Sequence, residues 1–216
     1  YQPIEMLVNG KHTGLSKDFT DLVAQKLGIK FELQATPSWS ETLKGIKEKR
    51  IDVLAALHKT PERESFLNFT DSYSSVDAGI ITSTHNKLPL TLEDLKYKRV
   101  AIVNNYYFQD VIRANHPNIN IVTVPNLTIG LQEVAFGSVD ALLATLATST
   151  YYLQQNGISN LRIAGILPYP AEYRMGIRKD WPMLAPIINK ALASISEQHK
   201  TTLQGRWIQL HSVQVP

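Results

Sequence analysis

The sequence contains no cysteine. That excludes disulfides, thiolate metal sites and a cysteine nucleophile, and it leaves cytosol and periplasm both open as compartments. No apolar run reaches the roughly 20 residues needed to span a bilayer as a helix. There is no nucleophile elbow, no phosphate-binding glycine loop and no metal-ligand cluster; His85, His116, His199 and His211 are dispersed without ligand spacing. Strong charge of either sign is also missing, since the net charge is only +3. The densest basic run, Lys47-Glu48-Lys49-Arg50, falls at the end of an expected helix, where cations suit the helix dipole. No nucleic-acid-binding signature accompanies it, so nucleic acid is not an expected partner. No cofactor and no metal are expected. The chain opens on Tyr1-Gln2-Pro3-Ile4 without a signal peptide, an opening expected of a processed or excised domain.

What is present is an ordinary globular balance. The 216 residues are 44% hydrophobic and 19% charged, enough for a sizeable core in one large domain or two small lobes. The most informative stretch runs from Thr60 to Tyr73, with Thr60-Pro61-Glu62-Arg63 followed by Asn68-Phe69-Thr70-Asp71-Ser72-Tyr73. It comes after Ile51-Asp52-Val53-Leu54-Ala55-Ala56-Leu57, an apolar run that reads as a buried parallel strand. Ligands of open α/β sheets sit beyond the carboxyl ends of strands. A guanidinium there offers a planar, permanently charged fork for a carboxylate or phosphate. The alternative for Arg63 is an ion pair with Glu62 or Asp71.

The chain also carries an internal match. Leu43, Ile46, Ile51 and Asp52 align without a gap on Leu131, Val134, Val139 and Asp140. In both copies an amphipathic helix ends in a turn and an aspartate opens a buried strand. Two such copies far apart suggest two α/β lobes of similar plan with a cleft between them.

Patterning predicts a helix from Ser16 stopping at Gly28, a strand over 30–33, and a helix capped by Ser38-Trp39-Ser40-Glu41. Further strands are expected at 78–83, 99–103, 119–124, 139–144 and 161–164, with helices at 106–114, 127–136 and 147–155. A returning strand at 173–178 precedes one long helix from Pro182 to about Gln198, and a last helix holds Leu203 and Trp207. The order predicts two inter-lobe crossings, with 1–83 plus 180–216 in a discontinuous first lobe and 84–179 in the second.

These residues resemble a known family. Gly14-Leu15-Ser16-Lys17-Asp18-Phe19, Thr60-Pro61-Glu62-Arg63 with Phe69-Thr70-Asp71-Ser72-Tyr73, and Gly137-Ser138-Val139-Asp140-Ala141 are similar to elements of the type II periplasmic solute-binding fold, family 3. Asn156-Gly157-Ile158-Ser159-Asn160-Leu161, Arg178-Lys179-Asp180-Trp181-Pro182 and Arg206-Trp207-Ile208 resemble its sensor branch, the Venus-flytrap domains of bacterial transmembrane histidine kinases and diguanylate cyclases. The resemblance implies a two-lobed α/β fold whose usual first strand is missing before Tyr1. It also implies a ligand site to which Arg63, Tyr1, Trp39, Ala56, His58, Tyr106, Tyr107 and Thr145 contribute. Arg63 would clamp a carboxylate, Trp39 and Tyr1 would wall the site, and His58 would donate to the ligand or act as a satisfied loop residue. Tyr106 and Tyr107 open a helix where anions are attracted. Amino-acid carriers of the family hold the ligand ammonium with an aspartate at the position occupied here by Thr145, which can hydrogen-bond but cannot neutralise a cation.

The implied function is an extracytoplasmic, periplasmic sensor domain binding a small carboxylate or amino-acid-like solute. Its expected partners are that solute and the rest of a transmembrane receptor, paired as a homodimer. The alternatives are a free solute-binding protein of an amino-acid transporter and a cyclohexadienyl dehydratase-like enzyme, for which Glu172 is the one acidic candidate. Catalysis is not expected of this domain.

Overall fold

The computed structural model describes residues 2–104 and 106–208. In chain order the first elements are β1 (Met6–Val8), β2 (Lys11–Thr13), α1 (Leu15–Leu27), α2 (Trp39–Lys47), β3 (Val53–Leu57), α3 (Pro61–Glu64), β4 (Leu67–Phe69) and β5 (Ser74–Val76). Next come β6 (Ala78–Ser83), β7 (Arg99–Val103), α4 (Tyr107–Asn115), β8 (Asn120–Val124), α5 (Leu127–Ala135), β9 (Ala141–Thr145), α6 (Leu146–Gln155) and β10 (Leu161–Ile166). The chain closes on β11 (Ala171–Arg178), α7 (Leu184–Ala193) and α8 (Glu197–Trp207).

Two compact units result among the described residues, one from residues up to 75 and from 172–208, the other from 76–171. The expected division lay at 83/84 and 179/180, eight residues later at each place. The difference has a simple cause. β6 belongs to the second unit's sheet, between β10 and β9, while β11 is the central strand of the first unit's sheet, between β3 and β4. A strand read as the end of one lobe is therefore the start of the other.

In the first unit the sheet order is β3-β11-β4, with β5 also paired to β11. β11 runs antiparallel to both β3 and β4, so the pairing described for the 51–57 run is antiparallel, not parallel. Ile46, Ile51, Leu54, Leu57 and Leu67 form a buried cluster between α2 and this sheet. The expected strand at 30–33 is absent, and residues 29–36 carry neither helix nor strand. In its place a hairpin occurs earlier, with Met6 opposite Thr13 and Val8 opposite Lys11. Asn9 and Gly10 form its turn at φ 51° and 73°, the left-handed pair that a two-residue hairpin demands. The two expected C-terminal helices are present, but the break between them comes earlier than expected, after Ala193. The Ser194 hydroxyl donates to the Ala191 carbonyl at 2.7 Å and ends α7, and Ser196 accepts the His199 amide at 3.2 Å and starts α8.

The second unit is a five-stranded sheet, β10-β6-β9-β7-β8. β7 is parallel to β8 and β9, whereas β6 is antiparallel to β9 and β10. Leu131, Val134, Val139 and Leu142 lie in its buried core beneath α5.

The internal match is a structural repeat. In the first copy the amides of Glu48, Lys49, Arg50 and Ile51 donate to the carbonyls of Lys44, Ile46, Gly45 and Gly45. In the second, Phe136, Gly137, Ser138 and Val139 donate to Gln132, Val134, Glu133 and Glu133, the same pattern 88 positions on. The turn residues Lys49 and Gly137 both have positive φ, 63° and 75°. Each aspartate then anchors a neighbouring strand: Asp52 accepts the Arg178 guanidinium at 2.8 Å, and Asp140 accepts the Arg99 amide at 2.8 Å.

Close backbone approach makes one glycine indispensable. A Cβ on Gly165 would stand 1.9 Å from the carbonyl oxygen of Leu90, whereas one on Gly205 in α8 meets nothing within 4 Å. Gly165→Ala should therefore destabilise the protein by about 3 kcal/mol, while Gly205→Ala should stabilise it by about 0.5–1 kcal/mol through helix propensity. Urea unfolding of the two variants checks both signs. Equal midpoints would show that β10, whose register against β6 shifts between Ile163 and Gly165, relaxes freely around the added methyl.

Candidate functional site

The site in the first unit is built at the carboxyl end of β3. The β3–β11 register pairs Leu57 with Arg174 and Leu54 with Gly176, so Ala55 and Ala56 together face Met175. Such a bulge bends a strand and re-aims the residues after it. Beyond it, Thr60 caps α3 by accepting the Arg63 amide at 3.3 Å, with Pro61 pre-set in the first turn. Arg63 is the third residue of this turn, and its side chain folds inward.

Arg63 is 8% exposed. Its Nη1 donates to the His58 carbonyl at 2.7 Å, and its guanidinium carbon lies 5.5 Å from the centroid of the Trp39 ring. Trp39 opens α2 and rests against the Ile46–Leu67 cluster, so it contributes both to the core and to the face under Arg63. A guanidinium on an indole face gains cation–π attraction that grows as water is removed.

His58 is half-buried, with Nδ1 2.9 Å from the Glu172 carbonyl oxygen. Its ring lies 4.9 Å from that of Tyr173. Burial pushes its pKa down to about 4, with Arg63 adding to the shift and the Glu172 carbonyl opposing it. Glu172 directs its carboxylate to Arg174 at 2.5 Å, an engagement unlike that of a general acid or base.

The rest of the motif is structural. Thr70 accepts the Met175 amide at 3.0 Å and donates to the Asp71 carbonyl at 2.9 Å. Tyr73 donates to the Ala55 carbonyl at 2.9 Å and stacks near Phe19 at 4.6 Å. The segment Arg178-Lys179-Asp180 is a clasp: Arg178 binds Asp180 through two nitrogens at 2.8 and 2.9 Å and Asp52 at 2.8 Å. The paired arginine holds the Asp180 carboxyl well below the usual carboxylate range.

In the second unit the candidates divide. Tyr106 is the N-cap of α4 and lies against that unit's core. Tyr107 is buried and donates to the Tyr169 carbonyl at 2.9 Å. Thr145 is 2% exposed; its hydroxyl donates to Thr148 at 2.8 Å, and its carbonyl accepts from Ser149. Both Tyr107 and Thr145 have polar atoms engaged within their own unit. Tyr1 lies outside the described residues. One acid carries no sequence signal: Asp77, exposed, whose carbonyl accepts the Leu146 amide at the start of α6. The alignment of Ala78 with Thr145 places it there, and nothing local in the sequence announces that pairing. Among the described residues no cluster of histidine and acidic groups is disposed to hold a metal ion.

The lowered His58 pKa has a testable consequence. The folded state resists a proton that the unfolded chain accepts near pH 6.5, so the unfolded state binds more protons between about pH 6.5 and 4. Stability is complete above that window and falls as pH drops through it, by roughly 1–3 kcal/mol. Urea unfolding of wild type and His58→Asn across the window should show a flatter profile for the variant. Parallel profiles would assign the acid sensitivity to other groups.

The chain is 29% identical over 195 residues to the virulence sensor protein BvgS of Bordetella pertussis, covering 90% of this chain and 16% of that protein. It is thus matched to about one sixth of that relative. It is 27% identical over 189 residues to the L-cystine-binding protein TcyA of Bacillus subtilis, covering 87% and 69% of the two chains. The crystal structure of the Bordetella pertussis BvgS periplasmic VFT2 domain superposes with a TM-score of 0.87 at 27% identity, over 96% of this chain and 89% of that one. The fold is the α/β Venus flytrap of type II periplasmic binding proteins. The relatives named are a sensor protein and a solute-binding protein. With residues 1–210 matched by the bacterial extracellular solute-binding proteins, family 3, the chain belongs to that family.

Proposed function

We propose that this chain is the periplasmic, ligand-sensing domain of a bacterial transmembrane signalling receptor, and that it takes up a small solute by its carboxylate. The observation that carries the reading is the buried Arg63 guanidinium, seated between the His58 carbonyl and the Trp39 ring just past the end of β3. A cation withdrawn from water gains most from a partner that supplies charge and two acceptors together, as a carboxylate does. The similarity to BvgS supports the receptor context, and the rest of such a receptor, as a homodimer, is the proposed partner. The similarity to TcyA favours a second reading, a free solute-binding protein that delivers to a transporter. The full reading frame separates them: a transmembrane helix following this domain supports the receptor, and a stop codon beside permease genes supports the carrier.

Two measurements test the ligand. In a thermal-shift screen of small carboxylates, a ligand at a hundred times its Kd should add about 2.7 kcal/mol. Arg63→Gln should weaken that ligand at least about 30-fold, the scale of removing one partner from a desolvated charge pair, while the unliganded variant still unfolds cooperatively. Unchanged affinity would remove Arg63 from the site.

The second concerns the ammonium position. Thr145 brings no negative charge and its hydroxyl is engaged with Thr148, so ordinary α-amino acids should bind no better than their deaminated counterparts. Calorimetry showing micromolar binding of a standard amino acid, with its deaminated analogue much weaker, would contradict this and direct attention to Asp77.

A further inference from the structure

Two interactions of different origin meet at His58. Its backbone carbonyl accepts Arg63 Nη1 at 2.7 Å. Its ring Nδ1 stands 2.9 Å from the Glu172 carbonyl oxygen. A carbonyl only accepts, so the proton of the neutral ring lies on Nδ1. The ring also lies tilted at 40° beside Tyr173. Glu172 and Tyr173 are the first residues of the chain as it re-enters the first unit, and the next residue, Arg174, pairs with Leu57.

β3 ends at Leu57, so the peptide after His58 is not held in a sheet ladder. Its tilt decides where the carbonyl points and therefore where Nη1 of Arg63 is held. The ring bond to Glu172 is the tether that fixes this residue. Arg63 and Glu172 are charged groups beside the ring, and the Glu172 carboxylate is engaged by Arg174.

We propose that His58 is a positioning residue that ties Arg63 to the re-entry of the chain: its ring N–H holds the Glu172 carbonyl while its own carbonyl holds the guanidinium. A displacement of Glu172 is then felt at Arg63 without any contact between Glu172 and a ligand. The inference rests on the reading of Arg63 as the carboxylate partner, and it gives that site a mechanical link to the segment joining the two units.

The test uses the 216-residue protein and needs no identified ligand. Asparagine can place an N–H where Nδ1 stood, glutamine places its N–H nearer the Nε2 position, and phenylalanine keeps the ring against Tyr173 but has no donor. Nitrogen-15 NMR of the wild-type ring should show the Nδ1–H tautomer. The guanidinium signals of Arg63 should persist in His58→Asn and collapse toward those of a solvent-exposed arginine in His58→Phe and His58→Gln. An Nε2–H tautomer, or Arg63 signals unaltered in folded His58→Gln or His58→Phe, would overturn the proposal. If Arg63→Gln keeps full carboxylate-induced stabilisation, the ligand reading fails while the tether result stands, so the two failures are separable.

Discussion

The first unit depends on β11, and through it on a pairing between residues 53–57 and 174–177. β11 is the one strand that β3, β4 and β5 all adjoin. Removing it would leave the Ile46–Leu67 cluster with a covering helix but no continuous floor. The same pairing sets the Ala55–Ala56 bulge, brings Glu172 beneath His58 and lets Arg178 close on Asp52. All of these join residues more than 100 positions apart, with the second unit made in between. Such contacts charge loop-closure entropy before they return any stability, so the Arg63 site is expected to be among the last parts of the chain to acquire its geometry.

That separation explains what was legible from sequence. The helix–turn–strand repeat was legible because it is local: it lies within 14 residues in each copy, and the positive-φ turn at Lys49 and Gly137 serves the same hydrogen bonds in both. Arg63 was legible as a candidate because it comes shortly after an apolar strand, where ligands of α/β sheets sit. The Asn9-Gly10 pair is a local hairpin signal, whereas the serine-capped helix start at Ser196 is masked by an apolar stripe that continues through Ile195. The eight-residue offset of the lobe boundaries and the antiparallel pairing of 51–57 have another cause. An apolar run states that a strand is buried and leaves its neighbours undetermined, and here the neighbour arrives from the far end of the chain.

The candidate side chains show the same boundary. A tyrosine or threonine at a helix start reads equally well as a ligand contact and as a satisfied core group. Tyr107 and Thr145 have internal partners, Tyr169 and Thr148, of which Tyr169 is brought near only by the tertiary fold. Trp39 carries two roles at once, since its ring lies against the core and under the guanidinium. Arg63 meets a carbonyl oxygen and a π face, each of which presents partial negative charge to the guanidinium.

The chain's last described helix is held by a different kind of contact. α8 buries Leu203 alone, too little apolar surface to fix an 11-residue helix by itself. It is secured by polar bonds to α1: Asp18 accepts Arg206 Nη1 at 3.0 Å and the Trp207 indole N–H at 2.8 Å, while Gln204 donates to Ser74 at 2.8 Å in β5. Asp18 belongs to the Gly14–Phe19 helix start, and α1 packs on α7 as well. Directional bonds of this sort hold orientation more strictly than an apolar stripe would, because a small rotation lengthens them out of range. Each of the three is worth about 1–2 kcal/mol, which is the scale on which a ligand's preference for one conformation operates. A helix docked this way is bound to the first unit at two places, Asp18 of α1 and Ser74 of β5, and keeps its orientation relative to both.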